Sequence, residues 1–216
     1  MIFIHKTKSN ALLLTTIWAV YTLSQHKVDL DSEVATAARQ AVGPGVALMV
    51  DYNQALSVSE TLARARALEG LDIYWIEEPI RHADYRGCAH LRTKLPCPLQ
   101  IGENFDGPEG VHDALSAGAA DLVMLDAARI GGVTGWMRGA AIAAAHGMAV
   151  SSHLFPEISV HLLAATPGAH WLEYVSWADA ILREPMVIAQ GIARPPQRPG
   201  LGLQWCPKGL ARYRVA

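Results

Sequence analysis

The sequence predicts an α/β protein, a (β/α)-barrel of the TIM type with its first strand missing, and three observations carry that reading. Short apolar runs recur, each ending in a titratable residue: Val46–Val50 before Asp51, Ile73–Ile76 before Glu77, Leu99–Gly102 before Glu103, Leu122–Leu125 before Asp126, Ala149–Ser152 before His153 and His170–Leu172 before Glu173. A loop with Gly or Pro and then a helical stretch separate one run from the next, which is βα alternation. The six polar residues are 26, 26, 23, 27 and 20 positions apart, about the length of one strand, one helix and two short loops.

Strands that recur through helices are parallel, and six in succession favour a barrel over an open doubly wound sheet. All six polar residues sit at the C-terminal ends of strands, the face where barrel enzymes keep their active sites. Between the runs, Ser57 or Ser59 caps a helix that reaches Leu68 before Gly70, and an Ala-rich helix over Val133–His146 stops at Gly147. Upstream, Asp31–Val42 reads as a helix stopped by Gly43, leaving room for one strand around Ile2–Lys8. Eight strands need two more units, so the first is expected to be absent. The tail, rich in Pro and Gly from Ala193 to Gly202, reads as an irregular closing segment.

The composition, 51% hydrophobic and 18% charged over 216 residues, is that of a soluble globular enzyme. A net charge of −2 with scattered Lys and Arg excludes a basic stripe for nucleic acid or an anionic membrane surface. Cys88, Cys97 and Cys206 form no close pair and no zinc spacing, which fits a reducing, cytoplasmic setting. The uncharged stretch Ala11–Leu23 is too short to span a bilayer. It follows Lys6 and Lys8 as a signal-peptide core would, but Ser24-Gln25-His26 lacks the small-x-small cleavage pattern.

Asp51, Glu77 and Glu103 end three successive strands, and carboxylate oxygens are what a hard octahedral cation prefers, so magnesium is the expected occupant. Taken singly, each acid is more simply a helix cap or the partner of an Arg; three at matched intervals reverse that preference. Asp126 and His153 end the next two strands, where a carboxylate on one imidazole nitrogen raises the basicity of the other and makes His153 a general base or acid. Glu173 faces the same cavity, kept protonated by its acidic neighbours and able to donate to a substrate oxygen; a salt bridge to an Arg is the plainer alternative. His112, His161 and His170 lack such a setting and read as surface or satisfied core histidines.

The stretches Met49-Val-Asp-Tyr-Asn-Gln54, Trp75-Ile-Glu-Glu-Pro79, Gly102-Glu-Asn104, Asp126-Ala with Ile130-Gly-Gly-Val-Thr-Gly-Trp136, Ser151-Ser-His-Leu-Phe-Pro-Glu-Ile-Ser159 and His161–Glu173 resemble the enolase superfamily and, within it, the mandelate racemase group. The resemblance covers residues 28–216, in order and without large gaps, and leaves residues 1–27 as an N-terminal segment of uncertain kind. It implies an enolase C-terminal domain-like barrel with magnesium on Asp51, Glu77 and Glu103, and His153 with Asp126 as one base. It also implies Glu173 as the acid opposite the metal, a substrate contact at Asn53, and a small-molecule carboxylate as substrate. Such sites pair a Lys or His base with magnesium; Lys6-Thr-Lys8 has the form of the family's Lys-x-Lys motif, which ends the second strand, with Lys8 as the second base.

Two departures matter. The 43 positions from Lys8 to Asp51 exceed the length of one βα unit, so either an insertion follows the lysines or the first 27 residues are foreign sequence and the motif is accidental. The family's N-terminal capping domain and first strand have no counterpart here. With Lys8 on one face and His153 on the other, the resemblance implies racemisation of a 2-hydroxy acid through an enediolate. Protonation of a departing β-hydroxyl by His153 would make the same site an acid-sugar dehydratase. A third reading is a truncated, catalytically silent fragment, whose open edges would favour aggregation or pairing with another chain, including a homo-oligomer. Without a cap the cavity stays wet, and little or no turnover is expected of this chain alone.

Overall fold

The computed structural model describes the backbone of residues 2–6, 12–14 and 28–215 and the side chains of residues 32–215. Helix α1 (Val28–Val42) leads into six parallel strands: β3 (Leu48–Asp51), β4 (Ile73–Glu77), β5 (Leu99–Ile101), β6 (Leu122–Asp126), β7 (Val150–His153) and β8 (Ala169–Tyr174). They hydrogen-bond in chain order and curl into a partial barrel. Helices α2 (Val58–Ala67), α3 (Tyr85–Arg92), α4 (Gly107–Ser116), α5 (Gly132–Ala145) and α6 (Pro156–Ala165) make the crossovers, as parallel pairing requires.

Local chemistry sets the helix ends. Ser57 caps α2 in a full capping box with Glu60, each side chain bonding the other's backbone N–H. Helix α5 ends at His146, and Gly147 follows at φ +70°, the left-handed stop that glycine supplies without strain. Helix α1 begins three residues earlier than Asp31 and stops where expected, at Gly43, also left-handed.

Strand alternation divides the core in two. Met49, Trp75, Met124 and Trp171 fill the inside of the curl, whereas Leu99, Ile101, Val123, Leu125, Val150 and Leu172 turn outward and pack with Leu91, Val111, Trp136 and Val160. The inside is thus a plug of side chains, as in closed barrels, and not a pore.

The N-terminal segment departs from expectation. Strand β1 (Ile2–Lys6) lies antiparallel to β8, and β2 (Leu12–Leu14) antiparallel to β1, so both sit at the end of the sheet away from β3. A second barrel strand would be parallel and beside β3. An antiparallel strand can satisfy the edge of β8 without a crossover helix, and this direction sets Phe3 opposite Glu173 while carrying Lys6 toward the other end of the sheet. Lys8 lies outside the described residues. After β8 come a 3-10 turn (Asp179–Ile181), the two-residue strands β9 (Ile188–Ala189) and β10 (Ile192–Ala193), and helix α7 (Pro207–Arg212); among the described residues the tail adds no further parallel strand. None of the described helices is long and apolar enough to cross a membrane.

Candidate metal centre and acid/base dyad

Asp51 and Glu77 are the last residues of β3 and β4 and pair directly in register. Each stands two residues beyond a plug residue, Met49 or Trp75, so alternation aims both into the curl above the plug. Glu103 comes two residues after β5, across a bend at Gly102 with φ +132°. A Cβ at Gly102 would lie 2.3 Å from the Met124 carbonyl oxygen, so only glycine lets the chain turn here and present Glu103 to the other two acids. One oxygen from each of the three lies within 4.8 Å of the others, and all three residues are buried.

The ionisation of this cluster shows the cost of burying three acids together. Burial lifts the Asp51 carboxyl from 3.8 to about 7, against a hydrogen bond from the Asn53 N–H and with the charge of Glu103 adding to the rise. Burial also holds Glu77 well above the ordinary carboxylate range, and Asp51, Glu103 and Glu173 push the same way. Trp75 Nε1 and Gln100 Nε2 both donate to Glu77 Oε2, at 3.0 and 3.2 Å. An all-oxygen, strongly repelling triad of this size is what a hard dication relieves, so the residues present fit magnesium.

The neighbouring dyad joins opposite charges. Asp126 and His153 end β6 and β7 in register, with His153 Nδ1 2.7 Å from Asp126 Oδ2. Burial opposes a charge on His153, but the bond to Asp126 and the charges of Glu103 and Glu173 outweigh it and raise the imidazole above 6.5. Burial would also raise Asp126; the bond to His153 and those from the N–H groups of Arg129 and Ala128 bring it below 3.8 instead. The other imidazole nitrogen, Nε2, lies 3.3 Å from Glu103 Oε2, so dyad and triad meet.

Glu173, inward on β8 and two residues past Trp171, is 2% exposed. Burial lifts its carboxyl to about 7, the charge of His153 and the Leu154 N–H resisting the rise, so near neutrality much of it keeps its proton. The Leu154 N–H donates to its Oε2. Asn53, Gln54, Glu78, Leu154 and Phe155 all have left-handed backbone, with φ between 34° and 63°; this strain sits in the loops after the strands, where sites commonly store it.

The structure thus brings Asp51, Glu77, Glu103, Asp126, His153 and Glu173 to one rim. Asn53 stands on the same rim, exposed, with its backbone rather than its side chain bonded to Asp51. Of Lys6 only the backbone is described, and it lies away from this rim. His170 is buried and meets Tyr74 OH at 2.8 Å, His161 Nε2 lies 3.2 Å from the Leu201 carbonyl, and His112 is exposed. Sequence reasoning missed Trp75, Gln100, Glu78 and Asn104. Trp75 and Gln100 had a usable signal in the inward parity they share with the acids, and Glu78 and Asn104 in the family stretches that contain them.

Residues 9–209 match the family described as Enolase C-terminal domain-like. The chain is 33% identical over 167 residues to L-talarate/galactarate dehydratase of Salmonella typhimurium, covering 77% of this chain and 42% of that protein. It is 34% identical over 186 residues to 3,6-anhydro-alpha-L-galactonate cycloisomerase of Streptomyces coelicolor, covering 86% and 52%. Among solved structures it is similar to an enolase from alpha proteobacterium bal199 with bound magnesium, at 46% identity and a TM-score of 0.87 over 92% of this chain and 54% of that one. It is also similar to a Bradyrhizobium enolase complexed with magnesium and mandelic acid, at 37% identity and a TM-score of 0.88 over 94% and 55%. The chain therefore spans about half the length of the proteins it matches, and it belongs to the enolase C-terminal domain-like family.

Proposed function

We propose that this enolase C-terminal domain-like chain carries the catalytic rim of a magnesium-dependent enzyme that removes the proton α to a carboxylate, with an acid sugar as substrate and dehydration as outcome. The observation that supports it is the meeting of two devices on one rim: three buried carboxylates with oxygens within 4.8 Å of one another, and a His–Asp dyad whose second nitrogen lies 3.3 Å from one of them. Asp51, Glu77 and Glu103 would hold the metal. Magnesium there would supply a fixed positive charge for the substrate carboxylate, lowering the cost of the negative charge that develops when the α-proton leaves.

His153 takes that proton at Nε2, while Asp126 on Nδ1 fixes the tautomer and stabilises the imidazolium. Glu173, in its protonated form, donates a hydrogen bond to the substrate oxygen on which charge builds, and its carboxyl lifted to about 7 keeps that form populated near neutrality. In dehydration the C–H bond at C2 breaks, a double bond forms to C3, and the C3 hydroxyl leaves as water with a proton delivered by His153; the enol then becomes a 2-keto-3-deoxy acid. The similarity to an acid-sugar dehydratase supports this outcome over racemisation, the leading expectation from sequence. Racemisation remains the second reading because a mandelic acid complex is among the similar structures. It needs a base on the opposite face, for which Lys8 was the sequence candidate.

The test is proton NMR in deuterated water with magnesium, mandelate and six-carbon acid sugars. The chain would be used alone and joined to the part of the bal199 enolase that it does not match. A 2-keto-3-deoxy product marks the dehydratase, and deuterium at C2 with the skeleton retained marks the racemase. Neither signal from the joined protein would end both readings.

A further inference from the structure

Two residues of the sequence motifs have no part in the chemistry above: Glu78, which follows the metal candidate Glu77, and Asn104, which follows Glu103. Glu78 is 0% exposed, although no ion pair to it is formed among the described residues. Its Oε1 accepts the Gly102 N–H at 3.3 Å and its Oε2 accepts Asn104 Nδ2 at 2.6 Å. The same Asn104 nitrogen donates to Glu103 Oε1 at 3.2 Å. Both bonds from Glu78 therefore end on the residues flanking Glu103, one of them the glycine whose bend presents it.

The consequence lies in how the two oxygens of Glu103 are used. Oε1 is held by Asn104, and Oε2 is turned toward His153 Nε2 at 3.3 Å. A carboxylate on a loop has free rotation about its last bond, so fixing one oxygen decides where the other points, and removing that freedom in advance lowers the entropy cost of capturing an ion. The backbone shows that the arrangement is held under strain. Glu78 has φ +34°, a conformation its side chain disfavours, and its N–H is bonded to the Gln100 carbonyl at 3.0 Å, tying it to β5.

We propose that Glu78 and Asn104 are positioning residues for the metal centre: Glu78, through Asn104 and the Gly102 N–H, fixes the orientation of the Glu103 carboxylate toward the metal and His153. This rests on the metal reading above, but the orientation of Glu103 can be observed without a metal. Buried carboxylates can also raise cation affinity by charge alone, so the test must separate aim from charge. Asn104→Ala does so, because it removes the bond to Glu103 and leaves the net charge unchanged.

Magnesium affinity is measured by calorimetry for the 216-residue chain and for Asn104→Ala, Glu78→Gln and the double variant, with circular dichroism confirming that each folds. We expect Asn104→Ala to weaken binding by about 10–100-fold, as loss of a ligand's hydrogen-bonding partner commonly does. Glu78→Gln should weaken it as well, and should add little once Asn104 is already Ala. Crystal structures of the parent and Asn104→Ala without magnesium give the second readout: Glu103 should turn away from His153 Nε2 in the variant. That result stands even if the parent fails to take up magnesium, in which case the metal reading alone falls. Affinity within twofold of the parent in Asn104→Ala, fully additive losses, or a Glu103 carboxylate that keeps its place would each overturn the positioning role.

Discussion

The two halves of the rim handle buried charge in opposite ways. On the β6–β7 side, Asp126 and His153 meet at 2.7 Å, and the bond between them raises the imidazole and lowers the carboxyl. On the β3–β5 side, Asp51, Glu77 and Glu103 converge with their oxygens within 4.8 Å, and burial pushes Asp51 to about 7 although the nearby charge of His153 resists the rise. The same strand-end geometry thus yields a pair of opposite charges in one place and a cluster of like charges in another. A buried carboxylate with a cationic partner supports the fold, whereas three packed together oppose it until an ion arrives.

The largest expected effect breaks the comparison directly. Replacing Glu77 by Gln or Glu103 by Ala should weaken magnesium binding at least about 100-fold, since each change removes one of three charged oxygen ligands, a larger loss than the about 10–100-fold typical of losing a ligand's hydrogen-bonding partner. Asp126→Asn should change it less than about threefold, and equal losses by calorimetry on both sides would show that the halves are one unit. A second effect is in pH. Protons compete with the metal for Asp51 and Glu77, so affinity should fall at least about tenfold per unit as pH drops below 7; a flat profile from pH 5 to 8 would remove Asp51 from the competition.

Stability should respond with opposite signs. Asp51 and Glu173 bind protons more tightly folded than unfolded, so the stability they contribute is full below about pH 4 and is lost as pH rises through about 7. Asp126, lowered in the fold, contributes stability above its unfolded value and loses it as pH falls through its lowered one. In metal-free protein at pH 8, Asp51→Asn should therefore raise the melting temperature by about 5 °C, given roughly 2–4 °C per kcal/mol for a chain of this size. Asp126→Asn should lower it; the same sign for both in a thermal scan would contradict the contrast. The smallest effect is at His153, whose imidazole should titrate above 6.5 in the parent and lower in Asp126→Asn, as read from its ring-proton shifts.

Much of this was legible before folding. Each of the six polar residues at a strand end carried its own signal, a short apolar run with a loop and helix behind it, and period-two alternation then fixed that Asp51 shares a face with Met49 and Glu77 with Trp75. The boundaries followed from local chemistry as well, in the Ser57–Glu60 capping box and the glycines at 43 and 147. The spacing could not show that Glu103 lies beyond its strand and reaches the triad only through Gly102, because that bend is set by the Met124 carbonyl from the next strand.

What the sequence by itself determined is the order of β3 to β8 and the identity of the rim acids, since βα repetition and side-chain parity are local properties of a chain. The tertiary structure alone decided three things: that β1 runs antiparallel against β8 instead of parallel beside β3, that Glu78 bonds both residues flanking Glu103, and that burial raises the carboxyls on one half of the rim while the bond to His153 lowers Asp126 on the other. Each depends on groups remote in sequence or on burial. Pairing direction, hydrogen bonding across 26 positions and desolvation all arise only when the chain closes on itself.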